Sequence, residues 1–314
     1  MTWSMRLLVT MGLLIQVGAL GIALVGARRG LLGPEKLFVF FLICFVYALG
    51  FCLMNGILAS EFVRKTQLEA DQLAARQVQQ TLHPQILEQL PGYEMEMSYK
   101  PLRGVGGDYF DVIDLPDGRR LIAIADVSGK GMPAAMLAAN IQALVRSITS
   151  NGADLVSLAI QINKHLCRYT PSDRFATAIF AALSPETGEV TYVNAGHNPP
   201  ILSEAGSATF LESTGLPLGL LSEAAFDFRT VTMPAGAKLL IFTDGLPDGI
   251  GGQIPEQRMC DVLRGDGKDT MQAIEKLIDS KFNEDDVTIL FLRRLVGATA
   301  ALLRTPTGHY SNER

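Results

Sequence analysis

Between Leu121 and Pro133 the chain has little conformational freedom. Leu121-Ile-Ala-Ile-Ala125 is an apolar run of strand length, and Asp126 closes it. Gly129 and Gly131 follow, and Pro133-Ala-Ala-Met-Leu-Ala-Ala opens a helical pattern with proline suited to the first turn. A buried strand is therefore expected to end on a carboxylate, turn on glycines and enter a helix. Glycine lets the backbone come close to something bound there, although an ordinary strand-to-helix turn has the same pattern. A phosphate-gripping loop is excluded, because Gly131 stands where the hydroxyl residue after the lysine would be.

The remainder of the chain divides by composition. Leu7 to Val25 and Leu37 to Ala59 are apolar apart from Gln16, Asn55 and small residues, and each is long enough to cross a bilayer core, which takes about 20 residues. A short turn carrying Arg28, Arg29 and Lys36 separates them. Two arrangements fit: a two-helix hairpin with spans of about 7–25 and 37–59, or a cleaved signal peptide followed by one span. The hairpin is the expectation carried forward. Basic residues on both sides leave the orientation undecided, and either arrangement permits a cytoplasmic carboxyl-terminal part. Glu61 to Leu82 predicts a solvated linker helix with a Glu61–Lys65 pair, ended by His83-Pro84. Leu68, Ala75 and Leu82 recur every seven residues and offer a weak seam for pairing with a second copy.

From residue 84 to 294 the pattern is that of a folded domain. Strands are expected at Tyr93–Tyr99, Asp108–Leu115, Arg120–Ala125, Phe175–Leu183, Glu189–Asn194, Lys238–Phe242 and Val287–Arg293. Shorter ones are expected near Pro200–Leu202, Ala208–Leu211 and Phe226–Val231. Helices are expected at about Pro133–Ser150, Ala153–Tyr169 and Thr270–Lys281. Hairpin turns at Asp117-Gly118 and Ser184–Gly188 outnumber strand-helix-strand units. The fold class is therefore α+β, with mainly antiparallel sheets and helices packed outside. Residues 295–314 read as a loose tail. A net charge of −5 without a basic stripe excludes a nucleic-acid partner. Cys44, Cys52, Cys167 and Cys260 form no Cys-x-x-Cys pair and read as buried thiols of a reducing compartment.

Acidic residues fall at strand ends. Gly106-Gly107-Asp108 opens one strand and Asp126 closes the next; Thr243-Asp244-Gly245 follows an apolar strand, and Glu284-Asp285-Asp286 precedes another. Each alone would read as a turn or cap residue. Together they can converge at one edge of a sheet sandwich, where crowded carboxylates repel unless a cation compensates. Oxygen-only ligands suit Mg²⁺ or Mn²⁺. Two such ions can lower the pKa of a shared water, which suits hydrolysis of a phosphate ester.

Residues 81–294 resemble the metal-dependent protein phosphatase superfamily. Within it they are most similar to the bacterial branch of the stage II sporulation phosphatase E and the stress-response regulator phosphatases. The resemblance rests on Val105-Gly-Gly-Asp-Tyr-Phe-Asp111, Ala125-Asp-Val-Ser-Gly-Lys-Gly-Met-Pro-Ala-Ala135, Arg174-Phe-Ala-Thr177, Tyr192-Val-Asn-Ala-Gly-His-Asn-Pro-Pro200, Leu216-Pro-Leu-Gly219, Phe242-Thr-Asp-Gly-Leu246 and Asp285-Asp-Val-Thr288. It implies an α-β-β-α sandwich with two Mn²⁺ or Mg²⁺ ions between the sheets. By position, Asp126 would bridge both ions, the Val127 carbonyl would bind one, and Asp108 would act on the first ion's shell. Asp244 and Asp285 would hold the other, with Asp286 the lesser ligand. The implied partner is a phosphorylated protein, such as an anti-sigma-factor antagonist, met by a catalytic domain on the cytoplasmic face of the inner membrane. The chain departs from the family at Pro247-Asp248-Gly249 and at Ala237, neither an expected ligand position. Arg103 is a candidate for the phosphate, as an arginine serves in eukaryotic relatives, and His197 lies in a matching motif with no chemical role evident.

Other readings fit less well. Gly106-Gly-Asp-Tyr-Phe110 resembles a cyclic-dinucleotide synthase signature but lacks its second acid. His83-Pro84 after a membrane-proximal helix resembles a sensor kinase, yet the glycine spacing of an ATP site is wrong. A membrane-tethered binding module that kept the fold and lost turnover is the alternative of a different class.

Overall fold

The computed structural model describes residues 12, 16–18, 21–22, 24–26, 28–29, 33–82, 90–102, 104–251, 254–265, 269–278 and 285–297. It divides into two compact units, Met1–Asp71 and Gln72–Arg314.

In the first unit, the expected second span lies on helix α1 (Pro34–Leu82), which continues without a break into the second unit. The apolar run and the linker are thus one helix of 49 residues. Pro34–Gln79 is long and apolar enough to cross a membrane, and its apolar side chains, among them Phe38, Phe45 and Tyr47, are exposed. Asn55 Nδ2 donates to the Phe51 carbonyl at 2.8 Å, which satisfies one polar group within the helix itself, as an apolar surround requires. The expected first span, 7–25, falls mostly outside the described residues. The expected Glu61–Lys65 pair does not form: Glu61 lies 3.9 Å from Arg64, and Lys65 lies 4.0 Å from Glu69. All four side chains are exposed, and such pairs contribute little.

The second unit is a four-layer α-β-β-α sandwich. One sheet holds β2 (Asp108–Asp114), β3 (Arg120–Val127), β4 (Ala176–Leu183), β5 (Glu189–Ala195) and β8 (Arg229–Thr232) in that order. The other holds β1 (Tyr93–Lys100), β10 (Val287–Arg294), β9 (Lys238–Phe242), β6 (Ile201–Glu204) and β7 (Ser207–Phe210). Every strand pair is antiparallel. Helices α2 (Met132–Ser150) and α3 (Leu155–Tyr169) cover the first sheet. The second is covered by α4 (Gly245–Ile250), α5 (Pro255–Arg264) and α6 (Thr270–Glu275).

Strand periodicity explains why the strands are apolar on both faces. In β3, Leu121, Ala123, Ala125 and Val127 pack under α2 and α3, while Ile122 and Ile124 point between the sheets. β4 alternates likewise, with Ile179 and Ala181 between the sheets, and there they meet Leu239, Ile241, Leu290 and Leu292. Asp111 faces the helices and is fully buried; Arg146 of α2 forks onto it at 2.7 and 3.1 Å, fixing the helix to the sheet.

Helices α4 and α5 were not expected, and α6 is shorter than the predicted Thr270–Lys281. β8 starts three residues later than predicted, because Phe226 turns into the core and bridges Gly215 instead. Of the four thiols only Cys260 is buried; Cys52 is exposed, and Cys44 and Cys167 are intermediate.

Candidate metal centre

The alternation that fills the core also aims the site. Asp126 shares the face of Ile122 and Ile124, and its register partners are Asp108 on β2 and Thr177 on β4. These three therefore form a row on the inner face at one end of the first sheet. Facing them, Thr243 follows β9, two residues after Ile241, and Thr288 lies in β10, two residues before Leu290, each on the inner face of its strand.

Asp108 crosses between the sheets. Its Oδ2 accepts from Thr288 Oγ1 at 2.5 Å and from Thr243 Oγ1 at 2.9 Å. Thr243 and Thr288 are held together in turn, with Thr288 N–H donating to Thr243 Oγ1 at 3.0 Å. Burial, then the neighbouring Asp126 carboxylate, pushes the Asp108 pKa well up, and the two threonine bonds oppose this.

Asp244 sits at the start of α4. The helix comes close to the Asp285-Asp286 turn because residue 245 is glycine: a Cβ there would lie 2.0 Å from the Asp286 carbonyl oxygen. Asp285 Oδ2 pairs with Lys130 Nζ at 2.9 Å. Asp286 accepts from the Leu102 and Gly107 amides, each at 2.7 Å, which ties the turn to the loop before Asp108. The carboxylates act on one another. Burial, then Asp244, Asp285 and Asp286, push the Asp126 pKa up to about 7, against the pull of Lys130. Burial, then Asp285 and Asp248, raise Asp244. Burial also raises Asp286, opposed by its two amide bonds.

The Ser128–Gly131 turn is pinned from below. Arg174 Nη1 donates to the Ser128 carbonyl at 2.8 Å, and Ser128 Oγ accepts from Phe175 N–H at 3.0 Å. Gly129 adopts φ 95°, and the Arg174 guanidinium fills the space a Cβ would need. His197 is buried, and burial pushes its pKa down to about 4, so it is neutral. Its Nδ1 lies 2.9 Å from Thr177 Oγ1, beside Asp126 in the sheet, and its N–H donates to Asn194 Oδ1 at 2.7 Å. His197 thus fixes the turn that backs the aspartate row.

Sequence reasoning missed Gln79. It is buried near the end of α1, donates through Nε2 to the Gly106 carbonyl at 2.7 Å and accepts the Gly106 N–H through Oε1 at 3.1 Å. One amide side chain thereby satisfies both backbone groups of Gly106, in the loop that carries Asp108. Thr243 and Thr288 were also missed, although strand alternation places both on the core face.

Asp108, Asp126, Asp244, Asp285 and Asp286 are thus brought to one end of the sandwich, with the Val127 carbonyl against Gly107. Arg103 and Glu284 lie outside the described residues. Among the described residues no three carboxylate, imidazole or thiolate side chains form a closed ligand cluster. The bonds explain this: Asp108 is held by threonines, Asp285 by Lys130 and Asp286 by amides. The donor chemistry nevertheless fits a hard divalent cation, because the groups are all oxygen and their mutual repulsion is only partly compensated.

The family profile of stage II sporulation protein E (SpoIIE) matches residues 116–295. The chain belongs to this family. It is 27% identical to the phosphoserine phosphatase RsbU of Bacillus subtilis over 236 residues, covering 71% of the chain and 69% of RsbU. It is 26% identical to protein IcfG of Synechocystis over 257 residues, covering 70% of the chain but 40% of IcfG. Among solved structures, the RsbU and RsbW domains of Rv1364c from Mycobacterium tuberculosis match with a TM-score of 0.59 and 29% identity, over 66% of the chain and 62% of that structure. RsbX in complex with magnesium matches in fold, with a TM-score of 0.54 and 22% identity, over 66% of the chain and 98% of that structure. The expected α+β sandwich and the phosphatase branch are therefore borne out.

Proposed function

We propose that this chain is a membrane-anchored protein serine/threonine phosphatase. It would hydrolyse a phosphoserine or phosphothreonine on a small signalling regulator, such as an anti-sigma-factor antagonist. Two Mn²⁺ or Mg²⁺ ions would be held by Asp108, Asp126, the Val127 carbonyl, Asp244 and Asp285. The observation that carries this reading is the convergence of Asp108, Asp126, Asp244, Asp285 and Asp286 at one end of the sandwich, where burial and the neighbouring aspartates raise the Asp126 pKa. Such an arrangement is unfavourable without cations and useful with them. The magnesium in the RsbX structure and the phosphoserine activity in the name of RsbU support it by kinship.

The ions, when bound, would polarise the phosphoryl group and lower the pKa of water. The chain's own residues do the rest. Asp126 offers a carboxylate from the end of a rigid strand. Asp108 is locked across the sheets by Thr243 and Thr288, so its free oxygen has a fixed direction. Asp286 holds the Gly107 amide and so positions the Asp108 loop. This makes Asp286 a positioning residue more than a ligand. The length and apolar composition of helix α1 support the membrane anchor, and the inner membrane with a cytoplasmic second unit is the location proposed for it.

The test is phosphate release from a phosphoserine-bearing anti-sigma-factor antagonist by the full chain in detergent, with and without Mn²⁺. Mn²⁺-dependent release is expected. Tight binding of the phosphoprotein with no release would favour the binding-module alternative.

A further inference from the structure

Lys130 sits on the turn that leaves Asp126, between Gly129 and Gly131, both at positive φ. Its Nζ lies 2.9 Å from Asp285 Oδ2, and both side chains are partly exposed. The ammonium therefore reaches from the turn after one strand to the turn before another, across the acid cluster. It acts on more than its direct partner: the same charge opposes the upward shifts of Asp126, Asp244 and Asp286.

Two features make this pair exchangeable and not a fixed strut. Partly exposed ion pairs are weak, so the Lys130–Asp285 contact itself is given up at little cost. A Cβ at Gly131 would meet nothing within 4 Å, so the turn has open space on that side. Lysine suits such a role, because its ammonium is a compact charge on a flexible stem, whereas arginine forks onto carboxylates. A divalent cation seeking the Asp285 carboxylate meets an oxygen already paired and a positive charge beside it.

We infer that Lys130 is a resident counter-ion of this centre, holding Asp285 in the metal-free protein and competing with a divalent cation for that carboxylate. Lys130 then sets the cation concentration at which the site fills. The inference rests on the reading of the centre as a divalent-cation site.

The experiment is calorimetric Mn²⁺ titration of the full chain in detergent, at low salt and constant pH, for the parent, Lys130→Met, Lys130→Gln and Lys130→Arg. Circular dichroism provides the fold control. Lys130→Met and Lys130→Gln are expected to tighten Mn²⁺ binding by about fivefold, the scale of one partly screened charge pair, while Lys130→Arg stays within about twofold of the parent. Unchanged or weaker binding in both neutral variants with an intact fold would overturn the inference and leave the metal reading standing. Equal tightening in Lys130→Arg would overturn it too, since charge would not be the cause. A parent that takes up no Mn²⁺ would sink the metal reading and the inference with it.

Discussion

Replacing Asp126 by Asn should move stability and turnover in opposite directions. The substitution keeps the shape and removes the charge that Asp244, Asp285 and Asp286 oppose. The Asp126 carboxyl is raised in the fold from 3.8 to about 7. That gap is about three units, and at ~1.4 kcal/mol per unit it sets a ceiling of about 4 kcal/mol on the charged form's cost at high pH. Because the acid side chains and solvent adjust, the expected gain for metal-free Asp126→Asn at pH 8 is ~1–3 kcal/mol, or roughly 2–12 °C in melting temperature for a domain of this size. The sign follows from linkage. A carboxyl raised in the fold favours folding most below its unfolded pKa, and that contribution is lost as pH rises through the folded value. Metal-free parent protein should therefore lose stability between about pH 4 and 7 and level off above. The advantage of Asp126→Asn should shrink over the same window as pH falls.

Turnover should fall by at least ~100-fold, the scale of losing a positioned electrostatic group. The assays are thermal melts by circular dichroism in chelator at several pH values, phosphate release, and Mn²⁺ titration. A metal-free variant that melts no higher than the parent at pH 8 would refute the crowding argument. Near-normal turnover with an intact fold would refute the assignment of Asp126 as a shared ligand.

Three further outcomes are expected. Gln79→Ala leaves the Gly106 N–H and carbonyl without their partner, so it should cost ~1–3 kcal/mol and weaken Mn²⁺ binding; a melt and titration matching the parent would show that the bond does not position the Asp108 loop. Arg146→Met strands the buried Asp111 carboxylate and should lower the melting temperature without changing Mn²⁺ affinity, which separates this acid from the metal set; a large loss of affinity would contradict that. Reporters fused before Met1 and after Arg314 should both behave as cytoplasmic if the amino-terminal part is a hairpin, and an external or removed amino terminus would leave one span.

What was legible in the sequence is what neighbours along the chain decide. Pro116-Asp117-Gly118 closes the β2–β3 hairpin as a three-residue loop, one residue longer than the expected two-residue turn, with Gly118 at φ 84° supplying the left-handed residue such a loop needs, and the strand alternation around it is local. Helix α4 was less legible for the same reason. Gly245-Leu-Pro-Asp-Gly249 contains three helix-breaking residues, and the reason for its first glycine, the close approach of the Asp286 carbonyl, lies far along the chain. In α5, by contrast, the apolar positions Met259, Cys260 and Leu263 mark one face and Pro255 suits a first turn, so its signal is local.

The metal centre divides along the same line. The aspartates announce themselves by standing at strand ends, which is a local property. What holds them in place comes from far along the chain: Thr243 lies 135 positions from Asp108, Thr288 lies 180 away, and Asp286 reaches the Gly107 amide across 179. No window of sequence contains these pairs. They follow only once the two sheets are stacked, when alternation forces Asp108, Thr243 and Thr288 onto facing inner surfaces. Lys130 illustrates the limit most sharply. Its place in the turn was plain, but whether its charge would point at solvent or at Asp285 depended on where β10 begins, 157 residues later by the numbering of the two ends, Lys130 and Val287. Carboxylates that can be read from a linear pattern thus acquire their electrostatics from the fold, and the test of a site read this way lies in the charges that the fold brings to it.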